Sequence, residues 1–252
     1  MINPLDMTGK TVLVTGASSG IGRETAILLS QLGARLVLVA RNKDRLEETA
    51  ADLTGHGHHV KPFDLTDADE IPSWMKSLAV TIGPLHGVVH SAGITKQLPI
   101  RSWTSTATDQ IMEINVMPCF GLARGLRQRD VHASGASMVF VSSTAGLVGA
   151  PSLSVYSASK GAIIGLTKSL ALELVRDEIR VNCIAPGLVE TELVQSARAS
   201  LTDEQSATWA KSYPLGIGKP RDVAHAIVFL LAETGRWITG TTLVLDGGLT
   251  AQ

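Results

Sequence analysis

The sequence is short of cysteine, and this shortage argues against several kinds of protein. Its 252 residues include two cysteines, Cys119 and Cys183, which are too few for a disulfide framework. Neither lies in a C-x-x-C pair or at a cysteine–histidine spacing that would indicate zinc binding or thiol exchange. Because chains without disulfide frameworks are typical of reducing compartments, we expect a cytoplasmic protein.

Charge and long apolar runs are also scarce. The 22 basic and 23 acidic residues sum to −1, and the charged fraction of 18% lies below the roughly 25% typical of globular domains. The longest apolar stretches, such as residues 226–232, are far shorter than the roughly 20 residues of a membrane span. Residues 1–10 lack the cationic start and apolar core of a signal peptide. We therefore expect no membrane span and no nucleic-acid partner.

Glycine, by contrast, is abundant, and short apolar runs alternate with longer amphipathic ones. The 24 glycines in 252 residues exceed the average share of near 7%. The alternation is typical of repeated βαβ units and a parallel sheet. The predicted strands are residues 11–15, 35–40, 59–64, 85–91, 136–142, 180–185 and 241–245. The predicted helices are residues 20–31, 44–53, 71–81, 106–129, 155–176 and 221–232.

The even spacing of these elements predicts a single α/β domain over residues 1–252, with a parallel sheet of about seven strands. Residues 189–219 interrupt the rhythm, because they are polar and rich in small side chains. Loops of this length in a compact domain are usually lids, binding loops or disordered insertions. We expect a lid over a substrate site, and a surface excursion is the alternative.

A glycine-rich junction follows the first predicted strand. The strand continues into T-G-A-S-S-G-I-G at residues 15–22, which opens a helix. Gly16, Gly20 and Gly22 allow a sharp turn and a close approach to a pyrophosphate, which the free N–H groups and the positive end of the helix dipole stabilise. A turn that only caps a helix is the alternative. The position between the first strand and a helix favours a dinucleotide site.

The end of the second strand bears on the choice of dinucleotide. A carboxylate there binds the ribose hydroxyl of NAD, whereas an arginine accommodates the 2′-phosphate of NADP. This chain has Arg41, whose guanidinium can bind a phosphate through two hydrogen bonds, so NADP(H) is favoured over NAD(H). A solvated arginine that starts a helix with Asp44 is the alternative. Asp64, near the end of the third strand, is placed to accept a hydrogen bond from the adenine amino group or to cap the next helix.

Candidate catalytic side chains follow the fifth strand. Tyr156 and Lys160 lie four residues apart in a predicted helix, so they share a face. A neighbouring ammonium stabilises a phenolate, which can then exchange a proton with a carbonyl or alcohol oxygen while hydride moves to or from a nicotinamide. Ser143 stands at the carboxyl end of the strand, where open α/β sheets bind ligands. An ordinary helical tyrosine with a surface lysine, and a serine in a turn, are the alternatives.

These motifs occur in the order and with the spacings of a known family. Residues 15–22, Arg41, Asp64, A-G at 92–93, Asn115, Ser143, Tyr156-x-x-x-Lys160 and A-P-G at 185–187 together resemble the short-chain dehydrogenase/reductase family. The resemblance covers about residues 8–250. It implies a Rossmann-type doubly wound sheet with helices on both faces and hydride transfer with NAD(P).

The resemblance also implies roles for single residues. The catalytic tetrad would be Asn115, Ser143, Tyr156 and Lys160, with Tyr156 as acid–base, Ser143 orienting the substrate, Lys160 also holding the nicotinamide ribose and Asn115 positioning a water. No metal is implied. The residues implied to contact the cofactor are Gly16, Ser18, Ser19, Gly20, Ile21, Gly22, Arg41, Asp64, Leu65, Ser91, Ala92, Gly93, Asn115, Tyr156, Lys160, Pro186, Gly187, Val189 and Thr191.

One histidine departs from the family pattern, and a cluster of three others resembles a metal site. The family usually has Asn-Asn-Ala-Gly after the fourth strand, whereas this chain has His90-Ser91-Ala92-Gly93. We expect His90 to be a buried histidine hydrogen-bonded to the backbone rather than a catalytic group. The cluster of His56, His58 and His59 lacks a cysteine or carboxylate at ligand spacing, so we expect no metal there.

The resemblance leaves the substrate open. P-L-G at 214–216, I-T-G at 238–240 and V-L-D-G-G at 244–248 are similar to the group that includes 3-oxoacyl-(acyl-carrier-protein) reductases. The substrate would then be a carbonyl or alcohol, free or carried on acyl carrier protein or coenzyme A. Arg124, Arg127 and Arg129 would offer an acidic carrier a docking surface, or simply form a solvated or subunit-contacting face.

Other functions within and beyond the family are the alternatives. A sugar, a hydroxysteroid or a small secondary alcohol would also suit a short-chain dehydrogenase. A catalytically silent NADP-binding regulator is opposed by the intact tetrad, and a sugar epimerase or dehydratase by the lack of an added sugar-binding domain. The resemblance further implies a homotetramer formed through the long helices and the C-terminal strand.

Overall fold

The computed structural model describes residues 3–192, 194, 195 and 211–251. Seven strands form one parallel sheet in the order β3-β2-β1-β4-β5-β6-β7, which confirms the predicted doubly wound α/β fold. The order reverses beside β1, and such a switch point opens a crevice at the carboxyl ends of the strands. The strands are β1 (Thr11–Thr15), β2 (Arg35–Ala40), β3 (His59–Pro62), β4 (Leu85–His90), β5 (His132–Val141), β6 (Arg180–Pro186) and β7 (Thr242–Leu245).

Helices cover both faces of the sheet. They are α1 (Gly20–Gln31), α2 (Lys43–Ala51), α3 (Ile71–Ile82), α4 (Ser105–Asn115), α5 (Met117–Leu126), α6 (Ser154–Glu173) and α7 (Pro220–Leu231). The side chains of β1 show how each face is filled. Leu13 packs into a cluster with residues of α3, α5 and α6, whereas Val12 and Val14 pack into a second cluster with residues of α1 and α7. Successive strand residues point to opposite faces, so both sides of a buried sheet need apolar side chains.

The long helix predicted over residues 106–129 is wrong, because the structure has two helices there. Helix α4 ends at Asn115 and α5 begins at Met117. Pro118 has no N–H to donate to the preceding turn, which ends the α4 ladder, whereas proline is tolerated in the first turn of the helix that follows. The N–H of Cys119 accordingly donates to the carbonyl oxygen of Val116 at 3.0 Å instead of continuing the α4 ladder. This break makes Asn115 the last residue of α4.

Two predicted strand boundaries are also wrong. The third strand ends at Pro62 rather than at 64, because the chain leaves the edge of the sheet after proline, which cannot donate to a ladder. The fifth strand begins at His132 rather than at 136. His132 pairs with Leu85, and an irregularity separates this pair from the regular register that starts at Ser137. A bulge of this kind lets a polar segment extend a strand without matching the apolar pattern.

The predicted lid over residues 189–219 lies largely outside the described residues, which exclude 193 and 196–210. The two ends of the segment are held together beside β6. The N–H of Glu190 donates to the carbonyl of Gly218 at 2.9 Å, and the N–H of Leu188 donates to the hydroxyl of Tyr213 at 3.2 Å. Within the part of the chain that the structure describes, no helix has the length and apolar character needed to cross a membrane.

Candidate active site

The junction of β1 and α1 is a tight turn built on glycine. Gly16 has φ +66°, and a Cβ there would lie 2.8 Å from the backbone nitrogen of Ala92. A Cβ on Gly22 would lie 2.3 Å from the carbonyl oxygen of Gly16, so only glycine allows the turn to close. The side chain of Ser19 makes no capping hydrogen bond to α1. The first-turn N–H groups of a helix have no partners within the helix, so this turn fits an anion such as a pyrophosphate.

A cavity of about 570 Å³ lies over this turn at the carboxyl ends of the strands. Its volume is in the range of small-molecule and cofactor sites. Gly22 does not line this cavity. Twelve other residues predicted to contact the cofactor do line it. They are Gly16, Ser18, Ser19, Gly20, Ile21, Arg41, Asp64, Leu65, Ser91, Ala92, Gly93 and Thr191.

A smaller cavity of about 120 Å³ adjoins the first, because Ile21, Ser91, Gly93, Ile94 and Thr191 line both. Its lining includes the remaining residues predicted around the reacting groups, apart from Asn115. They are Ser143, Tyr156, Lys160, Pro186, Gly187, Val189 and Thr191. The predicted cofactor and catalytic residues therefore share one continuous crevice. An elongated dinucleotide fits this arrangement, with its pyrophosphate at the glycine turn.

The end of the crevice at β2 is exposed and polar. Arg41 follows β2, and Asn42 caps α2 by accepting a hydrogen bond from the N–H of Arg45 at 3.1 Å. Asp64 accepts hydrogen bonds from the N–H and the hydroxyl of Thr66 at 3.1 and 3.0 Å. This local turn does not cap a helix, because α3 begins at Ile71 with Glu70 as its N-cap, so the capping role predicted as one of two possibilities is wrong. Asp64 lines the cavity, and its contact with the adenine amino group stays a prediction.

The opposite end is buried and fixed by hydrogen bonds. The ammonium of Lys160 is buried and donates to the carbonyl oxygen of Val141 at 2.9 Å. Its Nζ lies 5.6 Å from the centre of the Tyr156 ring, which confirms that the two side chains share one side of α6. The hydroxyl of Ser142 donates to the carbonyl of Lys160 at 2.7 Å and ties the end of β5 to α6. The strand end and the helix therefore position the tyrosine and the lysine together.

Ser143 continues this strand end. Its hydroxyl oxygen accepts a hydrogen bond from the N–H of Ala145 at 3.2 Å, which is the turn chemistry predicted as the alternative. The side chain is half-buried and lines the same small cavity as Tyr156. A serine hydroxyl that accepts one bond still has a proton to donate, so it can bind an oxygen in this cavity.

Asn115 is fully buried at the end of α4 and bridges two elements. Its Oδ1 accepts from the N–H of Ile94 at 2.8 Å, and its Nδ2 donates to the carbonyl of Ile94 at 3.0 Å and to the hydroxyl of Ser159 at 3.1 Å. Ser159 in turn donates to the carbonyl of Tyr156 at 2.7 Å. Asn115 thus fixes the segment after β4 against the turn of α6 that holds Tyr156. The water that the family resemblance implies at Asn115 stays a prediction.

The hydrogen-bond partner of His90 is a side chain, where a backbone partner was expected. Nδ1 of His90 lies 2.8 Å from the hydroxyl oxygen of Thr15, which also accepts from the N–H groups of Ser91 and Ala92 at 3.2 and 3.3 Å. With both lone pairs of Thr15 used, its proton goes to Nδ1. Nε2 is buried with no hydrogen-bond partner among the described residues. Burial, and next the charge of Lys160, lower the pKa of His90 to about 3, so the ring is neutral.

In the histidine cluster of residues 56–59, His58 has structural partners. His58 accepts a hydrogen bond from the N–H of Leu36 at 3.1 Å through Nδ1, and its Nε2 lies 3.0 Å from the carbonyl of Thr54. Within residues 3–192, 194, 195 and 211–251, no group of three potential ligands is close enough together to hold a metal ion.

Sequence reasoning missed one buried residue beside the crevice and an ion pair in its lining. Ser159 relays the hydrogen bond from Asn115 to Tyr156, and its position one helical turn after the tyrosine was the available signal. Arg45 and Glu192 line the larger cavity and form an ion pair with Nη2 and Oε1 2.5 Å apart. Their separation of 147 residues along the chain leaves no local pattern to find.

Comparisons with known proteins agree with this geometry. A family model described as enoyl-(acyl carrier protein) reductase matches residues 16–250. The chain is 32% identical to the 3-oxoacyl-[acyl-carrier-protein] reductase of Thermotoga maritima over 96% of its own length and 98% of that protein. It is 34% identical to 2-(S)-hydroxypropyl-CoM dehydrogenase 3 of Xanthobacter autotrophicus, over 97% and 98% of the two chains.

A solved structure from Agrobacterium tumefaciens, described as a 2-deoxy-d-gluconate 3-dehydrogenase with bound NADP, superposes with a TM-score of 0.87 at 27% identity and covers 100% of both chains. Family model, full-length relatives and fold all agree with the crevice that joins the glycine turn to Tyr156 and Lys160. The chain therefore belongs to the short-chain dehydrogenase/reductase family and is an oxidoreductase of the kind that interconverts carbonyl and alcohol groups.

Proposed function

We propose that the protein is an NADP(H)-dependent reductase of a carbonyl compound, with Tyr156, Lys160 and Ser143 as its catalytic residues. One observation supports this most strongly. The small cavity lined by these three side chains opens into the larger cavity over the glycine turn, so a carbonyl group and a dinucleotide fit in one crevice. NADP(H), when bound, supplies or accepts the hydride.

Residues of the chain itself would transfer the proton. Tyr156 donates its hydroxyl proton to the carbonyl oxygen as that oxygen gains negative charge, and it takes the proton back in the reverse reaction. The positive charge of Lys160 stabilises the phenolate that remains, since Nζ is buried and lies 5.6 Å from the ring centre. Ser143 donates a hydrogen bond to the same substrate oxygen and fixes its position. Asn115 is a positioning residue that holds α6 in place.

The preference for NADP(H) rests on charge at the end of β2. Arg41 and Arg45 line the cavity there, and Arg41 stands directly after β2, where a carboxylate would repel a 2′-phosphate. Arginine binds phosphate through a planar pair of donors, which makes it the residue best suited to this discrimination. The NADP bound by the Agrobacterium relative supports the same choice.

For the substrate, we propose a 3-oxoacyl thioester carried on acyl carrier protein or coenzyme A, on the strength of the similarity to the Thermotoga protein. The predicted arginine docking surface gains no support, because Arg124 and Arg127 are paired with Asp69 and Asp177 at 3.3 and 2.9 Å. A sugar substrate is the second candidate, since the Agrobacterium relative is described as a sugar-acid dehydrogenase.

We also propose a homotetramer. Helix α5 exposes Met117 and Phe120, and the segment before β7 exposes Trp237 to 92% of its surface. Large exposed apolar side chains of this kind are typical of surfaces that pack against other subunits. Light scattering of the purified protein would measure the mass directly, and a monomer at micromolar concentration would contradict the assembly.

A substrate screen tests the proposed function. The full chain would be mixed with 3-oxoacyl thioesters, sugars and small ketones, each with NADPH and with NADH, and turnover followed by the absorbance of the reduced nicotinamide. We expect thioesters with NADPH to give the highest kcat/KM. Tyr156→Phe, which keeps the ring and removes the proton, should lower kcat roughly 10²–10⁴-fold. Equal turnover by the variant would overturn the mechanism.

A further inference from the structure

One ion pair crosses the mouth of the larger cavity. Nη2 of Arg45 and Oε1 of Glu192 lie 2.5 Å apart, and the two side chains are 39% and 61% exposed. Arg45 belongs to the first turn of α2, whereas Glu192 lies beyond β6 in the segment that follows Pro186. The pair therefore joins the two walls between which a dinucleotide would lie.

Both partners are anchored close to the groups expected to bind the cofactor. The backbone N–H of Arg45 is bonded to the side chain of Asn42, the residue that follows Arg41. On the other wall, Thr191 touches the glycine turn, since a Cβ on Gly20 would lie 3.1 Å from the Thr191 methyl group. Arg45 thus lies four residues after Arg41, and Glu192 directly follows the residue that touches the glycine turn.

We propose that Glu192 is a specificity-determining residue, which tunes the choice between NADP(H) and NAD(H) by competing with the 2′-phosphate for Arg45. The proposal rests on the NADP(H) preference proposed above. A 2′-phosphate carries more negative charge than a carboxylate and presents a similar pair of oxygens, so the guanidinium can exchange one partner for the other. NAD(H) has no phosphate at this position and leaves the pair intact.

The exposure of the pair makes this exchange feasible. Exposed ion pairs contribute little to stability, so the loss of the Glu192 contact costs little when a stronger anion arrives. The competition for Arg45 acts against NADP(H) and spares NAD(H), so Glu192 moderates a preference that Arg41 and Arg45 create.

The test measures the dissociation constants of NADPH and NADH by fluorescence titration for the wild type, Glu192→Gln, Arg45→Gln and the double variant. Glu192→Gln should bind NADPH roughly three- to fivefold more tightly, the size that an exposed charge pair gives, with NADH unchanged. Arg45→Gln should weaken NADPH binding by a similar factor, again without effect on NADH. The double variant should match Arg45→Gln, because the gain at Glu192 requires a free guanidinium.

Asp52→Asn is the matched control. Asp52 pairs with Arg23 at the same distance of 2.5 Å and with comparable exposure, but neither residue lines the cavity. This variant should leave both dissociation constants unchanged, which separates a local effect from a general change in surface charge.

Three outcomes would overturn the proposal. Equal changes in the dissociation constants of NADPH and NADH for Glu192→Gln would show that the ion pair affects the binding of any dinucleotide. Unchanged binding in both single variants would show an ordinary surface ion pair. Additive effects in the double variant would show that the two residues act independently. If instead the wild type prefers NADH, the proposed NADP(H) function fails, whereas a wild type that keeps its NADPH preference while Glu192→Gln has no effect overturns only the role of Glu192.

Discussion

The two ends of the crevice are built in different ways. At the catalytic end, Asn115 is fully buried, Lys160 is 6% exposed, and both are fixed by hydrogen bonds to backbone groups. At the adenosine end, Arg41 is exposed and Arg45 is bonded to another exposed side chain, Glu192. Groups that transfer a proton need fixed positions and low solvent access, whereas groups that only discriminate a phosphate can function while exposed to solvent. Substitutions should therefore affect folding and chemistry at one end and affinity at the other.

The largest expected effect on stability is at the buried end. Asn115→Ala leaves the N–H and carbonyl of Ile94 without their partner and breaks the bond to Ser159. Each unsatisfied buried group costs about 1–3 kcal/mol. Because the two Ile94 groups are only partly buried, we expect the lower part of the summed range, a loss of about 2–4 kcal/mol in the free energy of unfolding, measured by urea denaturation.

Asn42→Ala is its matched control at the exposed end. Asn42 caps α2 through one hydrogen bond to Arg45, so its loss should cost about 1 kcal/mol. Equal losses in the free energy of unfolding for the two variants would contradict the difference between the buried and the exposed end of the crevice.

The effect expected from His90 is small near neutral pH and grows as the pH falls. The pKa of His90 is about 3 in the folded protein, below the value near 6.5 of an unfolded histidine. Between these values the unfolded chain binds more protons, so acidification from about pH 6.5 destabilises the fold by up to about 1.4 kcal/mol per pH unit. His90→Asn, which can still accept from Thr15, should remove this part of the slope. Denaturation curves at several pH values that stay parallel for the two proteins would contradict this burial effect.

The smallest effect is expected at the exposed end. Arg41→Gln should weaken NADPH binding roughly tenfold by removing a charged phosphate donor, while NADH binding and the free energy of unfolding stay unchanged. Fluorescence titration with both cofactors measures the difference. A variant that loses both cofactors equally would show that Arg41 shapes the cavity and does not select the phosphate.

The regular part of the fold could be predicted because its pattern is local. Strands β1 and β2 have the predicted bounds, since each is a short apolar run between glycine and polar turns. The glycine turn could also be predicted, because its glycines form a local motif directly after the first strand. The structure shows why glycine is needed there, since a Cβ on Gly22 would lie 2.3 Å from the carbonyl oxygen of Gly16. The break between α4 and α5 was missed although Pro118 marks it, because the apolar pattern continues across it.

Contacts between distant parts of the chain could not be predicted. The partner of His90 is Thr15, 75 residues away, and the choice of a hydroxyl over a carbonyl depends on how β1 and β4 are paired. The Arg45–Glu192 pair depends in the same way on the path of the chain after β6. Sequence spacing reveals which residues share an element, whereas the sheet order decides which elements meet.

The division between the two ends is tested most directly by one paired measurement on Tyr156→Phe and Arg41→Gln. For each variant, the dissociation constant of NADPH and the turnover number at saturating NADPH and substrate would be measured on the same preparation. The account predicts that Tyr156→Phe loses turnover and keeps its NADPH affinity, while Arg41→Gln loses affinity and keeps its turnover. A parallel fall of both quantities in either variant would contradict it.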